Sequence, residues 1–211
     1  MRRALSLPLL ALLFVILLAG SACRRTPPNL DSPGKTIVCL GDSITAGVGV
    51  GPGEAYPDLL ARGLGVDVVN AGVPGDTAAR GLARLRRVLD EDPWLVVVEL
   101  GGNDILRRVP AEDTEQALRT LLDRILAAHV VPLVVEVDAP FAASYRAVFA
   151  HLEKDYPIVF EDEALGEILR DRSLLSDEIH PNAQGQQKLA QALRQEIEPL
   201  IAKRRKLRGA R

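Results

Sequence analysis

Ser43 stands in Gly41-Asp42-Ser43-Ile44, directly after the apolar run 35–40 (KTIVCL). Far along the chain, Asp177 and His180 lie three residues apart in Asp177-Glu178-Ile179-His180-Pro181-Asn182. A serine hydroxyl acts as a nucleophile when a base lies within hydrogen-bond reach and a carboxylate orients that base. The three-residue spacing lets one short turn bring carboxylate and imidazole together. Acyl transfer also needs donors for the developing oxyanion. Two more segments can supply them. In 70–77 (NAGVPGDT) the glycines let backbone N–H groups approach a ligand closely. In Gly101-Gly102-Asn103-Asp104 the Asn103 side chain offers an NH₂ group. Each segment alone has a bland reading, since Gly-Asp-Ser is a common turn and a lone histidine is usually structural. Together they hold a nucleophile, a base, an orienting acid and oxyanion donors, which is the set that ester or thioester hydrolysis requires.

The remaining chemistry-bearing residues add little to that set. No G-x-S-x-G segment is present, which argues against an α/β-hydrolase nucleophile elbow. His129, His151 and His180 form no close-spaced ligand pair, and two cysteines are too few for a disulfide framework or a Cys-rich zinc site. The proposed chemistry requires no metal or organic cofactor. Cys39 lies inside an apolar run and reads as core, where a free thiol behaves as a small hydrophobe. Asp42 and Asp104 read as turn carboxylates bonded to nearby backbone N–H groups. Glu99 falls at a strand end, where it could line the site, and is left outside the catalytic set.

These residues must be held by a scaffold whose pattern is visible in the sequence. Short β-branched apolar runs occur at 35–40, 66–70, 94–100, 131–137 and 157–160. Such nearly continuous apolarity suits strands buried on both faces. Amphipathic stretches at 55–64, 77–91, 112–129, 141–154 and 162–170 separate them, and a last helix is expected from near Pro181 through Ile197. Alternation of this kind predicts an α/β fold: a three-layer α/β/α sandwich around a mostly parallel five-stranded sheet. Sites in such sheets form at the carboxyl ends of the strands, where Ser43, the 70–77 loop and Asn103 all fall.

Length and charge bound the rest. The 211 residues suit one domain, and 47% apolar with 26% charged residues excludes a disordered chain. The net charge of −2 conceals an uneven layout, since ten of the 26 basic residues but one of the 28 acidic ones lie before residue 35 or after residue 202. No nucleic-acid partner is expected from this balance. Arg2 and Arg3 precede the apolar run 4–18, and small residues then lead to Cys23, the layout of a secretory signal over 1–22. The segment Gly20-Ser21-Ala22-Cys23 resembles a bacterial lipobox, although Gly20 departs from the usual leucine. That resemblance implies lipidation at Cys23, an exported domain anchored to a membrane of the bacterial envelope, and a non-acidic Arg24 compatible with outer-membrane sorting. Residues 23–34 are then expected to be the lipidated cysteine and a polar, Pro-rich tether. The catalytic domain is expected over 35–202, with a solvated basic tail over 203–211.

The four site segments resemble the SGNH (GDSL-type) hydrolases, named for Ser, Gly, Asn and His. Within that superfamily, VVNAGVPGDTAARGLARL (68–85), VVVELGGNDILR (96–107) and IHPN (179–182) look most like the arylesterase, acyl-CoA thioesterase I and lysophospholipase L1 group. The resemblance runs from about Lys35 to the last helix. It implies a flavodoxin-like fold, with Ser43 as nucleophile, His180 as base and Asp177 completing the triad. It further implies an oxyanion hole from the N–H groups of Ser43 and Gly75 and the amide of Asn103. Gly72 is the alternative to Gly75, set behind it because the family glycine directly precedes Asp-Thr. Ile44 stands where the eponymous leucine would be, and the region 136–150 looks shorter than in the thioesterases. The substrates implied are acyl esters, thioesters or lysophospholipids. The rival readings are a carbohydrate O-acetylesterase, disfavoured by an aromatic content of 4%, and a non-catalytic envelope lipoprotein, disfavoured because every triad member is present.

Overall fold

The computed structural model describes residues 26–138 and 142–209. The expected signal segment 1–22 and Cys23 lie outside the described residues. In chain order the elements are β1 (Thr36–Gly41), α1 (Ser43–Ala46), α2 (Tyr56–Leu64), β2 (Val68–Gly72), α3 (Ala78–Ala83), α4 (Leu85–Leu89), β3 (Pro93–Glu99) and α5 (Gly102–Leu106), then α6 (Ala111–Ala127), β4 (Val131–Val135), α7 (Ala143–Asp155), β5 (Val159–Glu161), α8 (Ala164–Arg170), a 3₁₀ turn (Arg172–Leu174) and α9 (Ala183–Gly209). The strands form one five-stranded sheet in the order β2-β1-β3-β4-β5. All four pairings are parallel. Every residue of β3 and β4 is buried, as is all of β1 except Thr36, so the near-continuous apolarity of these strands, broken only by Glu99 at the end of β3, suits strands covered on both faces. Helix α9 packs against α2 and α8, and α6 packs against α3 and α7, which gives the two outer layers.

This strand order decides where a ligand can bind. The chain leaves β1 for the edge strand β2, then crosses back to β3 on the other side of β1. The connections therefore diverge above β1 and β3 and leave a crevice at their carboxyl ends. The turn after β1 leads into Ser43, the first residue of α1, and the turn after β3 leads into Asn103, in the first turn of α5.

Three expectations change. The single helix expected over 77–91 is two, broken at Arg84, which serves as the end of α3 and the start of α4. Arg84 is drawn inward there, donating to Asp76 Oδ2 at 2.6 Å and to the Gly41 carbonyl at 2.9 Å. The described part of the expected tether is packed on the domain from Pro27 onward. Leu30 is buried in the core, and Asn29 Nδ2 donates to the carbonyls of Leu126 (3.1 Å), in the last turn of α6, and Val130 (3.2 Å), just before β4. The expected solvated tail is instead helical, since α9 runs on to Gly209. Arg204 anchors it, with its guanidinium 5.1 Å from the centre of the Trp94 ring and donating to the carbonyls of Ser32 and Gly34.

Candidate active site

Ser43 is positioned by a tight strand-to-helix turn. Gly41 ends β1, where an added Cβ would lie 1.9 Å from Thr45 Oγ1 and 2.8 Å from the Glu99 carbonyl. Only glycine lets the chain turn so sharply against β3. Asp42 caps α1, its Oδ1 accepting from the Ile44 N–H at 3.0 Å, and Gly47 closes the helix in the left-handed region with φ +84°. From behind, the buried Gln186 of α9 donates to the Ile44 carbonyl at 2.9 Å and accepts from the Tyr56 N–H at 2.8 Å. Ser43 is thereby fixed at the start of a short helix braced by another layer of the fold.

His180 arrives from the other end of the chain. The segment before α9 folds back on itself: the Ser176 N–H donates to the His180 carbonyl at 2.9 Å, and Leu175 and Pro181 form an antiparallel bridge. Asn182 then caps α9, its Oδ1 accepting from the N–H groups of Gln184 (3.0 Å) and Gly185 (3.1 Å). His180 Nε2 lies 3.0 Å from Ser43 Oγ, and His180 Nδ1 lies 2.7 Å from Asp177 Oδ2. The other Asp177 oxygen accepts from the N–H groups of Ile179 (2.9 Å) and His180 (2.8 Å). Those backbone bonds, led by Ile179 and joined by the His180 ring, hold the Asp177 carboxyl down at about 2. The carboxylate is ionised throughout the neutral range, as an acid that steadies an imidazolium must be.

Two donor loops flank this pair. The 73–77 loop is laced to its surroundings by the Val73 N–H on the Gly41 carbonyl (3.0 Å), by Arg107 on the Gly75 carbonyl (2.8 Å), and by Arg84 on the buried Asp76 (2.6 Å). Gly75 has φ +81°, a conformation that exacts strain from other residues. The Gly75 and Ser43 N–H groups have no backbone acceptor among the described residues. Gly72 is differently employed. Its N–H donates to Asn70 Oδ1 at 2.9 Å, and a Cβ there would meet the Ala46 backbone at 2.2 Å, so it is a packing glycine. Asn103 sits in the first turn of α5, its Nδ2 donating to Asp42 Oδ2 at 2.7 Å. One amide hydrogen is thus held by Asp42, and the second is available to a ligand.

Sequence reasoning treated Asp42 and Asp104 as structural and left Glu99 unassigned. Asp104 is structural, its oxygens accepting from the Ala78 N–H (2.9 Å) and the Thr114 hydroxyl (3.1 Å) and so tying α3 and α6 to α5. Asp42 does more, because it grips Asn103. Beneath it Glu99 is fully buried. Cys39 is buried as expected, and burial pushes its thiol far up, which makes it inert as a nucleophile.

Beside Ser43 and His180 opens a small cleft of about 70 Å³ whose apolar walls are Ile44, Ile105, Leu106, Val137, Leu169 and Ile179. Every one of these six is aliphatic. Four large apolar side chains are exposed among the described residues, Val73, Leu106, Ile179 and Leu207. Two of the four, Leu106 and Ile179, border this cleft, and Val73 lies in the adjacent glycine loop. The arrangement can bring a hydroxyl, a base and amide donors to a carbonyl while an apolar group rests in the cleft.

Fold and site together define a serine ester hydrolase of the SGNH type. The chain belongs to the GDSL-like lipase/acylhydrolase family, whose model matches residues 39–188. It is 33% identical over 202 residues to the thioesterase 1/protease 1/lysophospholipase L1 of Escherichia coli K12, covering 91% of this chain and 93% of that one. It is 30% identical to an arylesterase of Vibrio mimicus, covering 77% and 88% of the two chains. Among solved structures it resembles a psychrotrophic esterase, EstA, from Pseudoalteromonas sp., inhibited by monoethylphosphonate. That match has a TM-score of 0.71 and 25% identity, and covers 80% of this chain and 99% of that one. The SGNH-hydrolase family esterase AlinE4 matches with TM-score 0.61 and 31% identity over 79% and 96% of the chains.

Proposed function

We propose that the protein hydrolyses carboxylic esters and thioesters of aliphatic acids, aryl esters and lysophospholipids among them, through a Ser43-His180-Asp177 triad and an acyl-enzyme. The observation that carries this reading is the hydrogen-bonded line from Asp177 through His180 to Ser43, 2.7 and 3.0 Å, at the mouth of an aliphatic cleft. His180 takes the Ser43 proton as Oγ attacks the carbonyl carbon. The oxyanion is stabilised by the N–H groups of Ser43 and Gly75 and by Asn103. His180 then protonates the leaving alcohol or thiol, and water activated by the same imidazole releases the acid. The small aliphatic cleft suits short and medium acyl chains better than a sugar, which favours aromatic stacking surfaces.

The test is hydrolysis of p-nitrophenyl esters from acetate to palmitate by the wild type beside Ser43→Ala. Activity that peaks at short to medium chains and disappears in the variant is expected. Activity confined to acetate contradicts the acyl-chain assignment. Activity retained in the variant contradicts the triad.

The same reading extends to location, as a membrane lipoprotein held through Cys23. Thr26 is three residues from Cys23 and accepts from Lys203 Nζ at 3.0 Å, near the far end of α9. Three residues span at most about 11 Å, so a lipidated Cys23 would keep that end against the bilayer. The active site lies at the other end of α9, about 30 Å from Lys203 at 1.5 Å per residue. Substrate would then enter from the aqueous side rather than from the anchoring leaflet. Full-length Cys23→Ala is expected to move from the membrane to the soluble fraction, and a variant that stays with the membrane contradicts the anchor.

A further inference from the structure

A chain of buried polar groups runs beneath the oxyanion side of the site. Tyr56 Oη and Thr45 Oγ1 are 2.8 Å apart, and Thr45 Oγ1 donates to Glu99 Oε2 at 2.8 Å. Glu99 and Tyr56 are completely buried, and Asp42 is 2% exposed. The other Glu99 oxygen, Oε1, is buried with no hydrogen-bond partner among the described residues. Glu99 is paired across the sheet with Gly41, the neighbour of Asp42, and the two carboxyls act on each other directly; both cannot carry charge in this dry region, since each would be desolvated and repelled by the other.

The donors decide which one keeps the proton. Burial pushes the Asp42 carboxyl up, but it accepts from the Ile44 N–H on Oδ1 and from Asn103 on Oδ2, which draw it back toward its ionised form. Glu99 accepts from the Thr45 hydroxyl, and the backbone N–H groups of Asp42 and Thr45 favour its charge less than burial and Asp42 oppose it. Burial, then the Asp42 charge, push its carboxyl well above the usual carboxylate range. Because Oε2 is occupied as an acceptor from Thr45, the proton belongs on Oε1, the oxygen otherwise left without a partner. Asp42 has lone pairs to spare after its two bonds.

Building on the assignment of Asn103 as an oxyanion donor, we propose that Glu99 is a neutral carboxylic acid that donates through Oε1 to Asp42, and is a positioning residue holding Asp42 against the Asn103 amide. It touches no substrate. Its hydrogen bond fixes the Asp42 carboxylate, which fixes the Nδ2 group whose second hydrogen meets the oxyanion. Its neutrality also keeps a second negative charge from beneath a site that must itself become anionic.

Glu99→Gln retains an acceptor for Thr45 and a donor for Asp42, whereas Glu99→Met keeps similar bulk and neither. Glu99→Gln is expected to keep kcat within about twofold, and Glu99→Met to lose about ten- to a hundredfold in kcat with KM little changed, within the range for weakening one oxyanion donor. The loss should vanish when Asn103 is already alanine, because both changes act on one donor. A Glu99→Gln variant as impaired as Glu99→Met, or a Glu99→Met loss that persists in full beside Asn103→Ala, overturns the proposal. If Glu99→Met fails to fold, infrared difference spectra of wild type against Glu99→Gln still decide it. A protonated carboxyl band at neutral pH that the variant lacks is expected, and no such band in the wild type overturns it. The infrared result does not depend on turnover, so failure of the esterase reading is separately visible in the wild-type assay.

Discussion

Two carboxylates flank Ser43, and they are held in opposite ways. At the rim, the Asp177 side chain is 44% exposed, and its charge is supported by N–H donors, an imidazole and water. Beneath the floor, Asp42 is 2% exposed and shares a dry region with Glu99. Each grips its functional neighbour at the same 2.7 Å. The partners differ in kind. In the proposed mechanism Asp177 holds a ring that becomes cationic, so a full negative charge beside it is useful. Asp42 holds a neutral amide that, in the same mechanism, faces an anion, so its charge has to be set back and tempered. On this proposal the rim pair manages a proton, and the buried pair manages a geometry.

Substitutions can break or sharpen that contrast. The largest effect is expected at the rim: Asp177→Asn should lower kcat by about 10³–10⁴ through loss of the imidazole's orientation and charge partner. Asn103→Ala should cost less, about 10²–10³ in kcat, as the loss of one oxyanion donor. Steady-state kinetics on one ester checks both, and a reversed order would mean that the amide carries more of the rate than the carboxylate.

The pH response should separate the two pairs as well. The folded Asp177 carboxyl, at about 2, is depressed below its unfolded value of about 3.9, so its contribution to stability is full above the unfolded value and is lost as pH falls through about 2. Any acid limb of kcat between about pH 4 and 7 must then arise from another group. A wild-type pH–rate profile whose acid limb follows the protonation of Asp177, tracked by carboxyl NMR, would contradict this. The smallest catalytic effect is expected far from both pairs. Arg204→Ala removes the stacking on Trp94 and the bonds to Ser32 and Gly34. It should cost about 1–2 kcal/mol, read as a melting temperature lowered by several degrees, with kcat unchanged.

Much of this organisation was legible in the residues. Strands β1, β3 and β4 are buried on both faces, so apart from Glu99 at the end of β3 their buried side chains are apolar, and their runs stood out. Ser43, Asn103, Asp177 and His180 lie at strand and helix ends marked by glycine, asparagine and proline, which announce turns. Gly75 and Gly72 were separable only through the motif resemblance, and their different employment appears once the N–H partners and the φ of Gly75 are seen. The support beneath the site was hidden for a physical reason. Thr45, Tyr56, Glu99 and Gln186 come from four elements spread along the chain from α1 to α9, and each is a common residue in its own segment. The ends misled for a related reason. Residues 27–34 have the composition of a linker, yet Leu30 and Asn29 bind the domain. Arg204 looks like one charge in a solvated run, yet its stem and guanidinium fold onto Trp94.

The most direct measurement is covalent labelling of the wild-type protein with a fluorophosphonate probe, with the modified residue mapped by mass spectrometry. Stoichiometric attachment at Ser43, lost in His180→Ala although that variant keeps the serine, is the expected result. Labelling at another residue, or labelling of Ser43 undiminished in His180→Ala, would contradict a nucleophile activated along the line from Asp177 through His180.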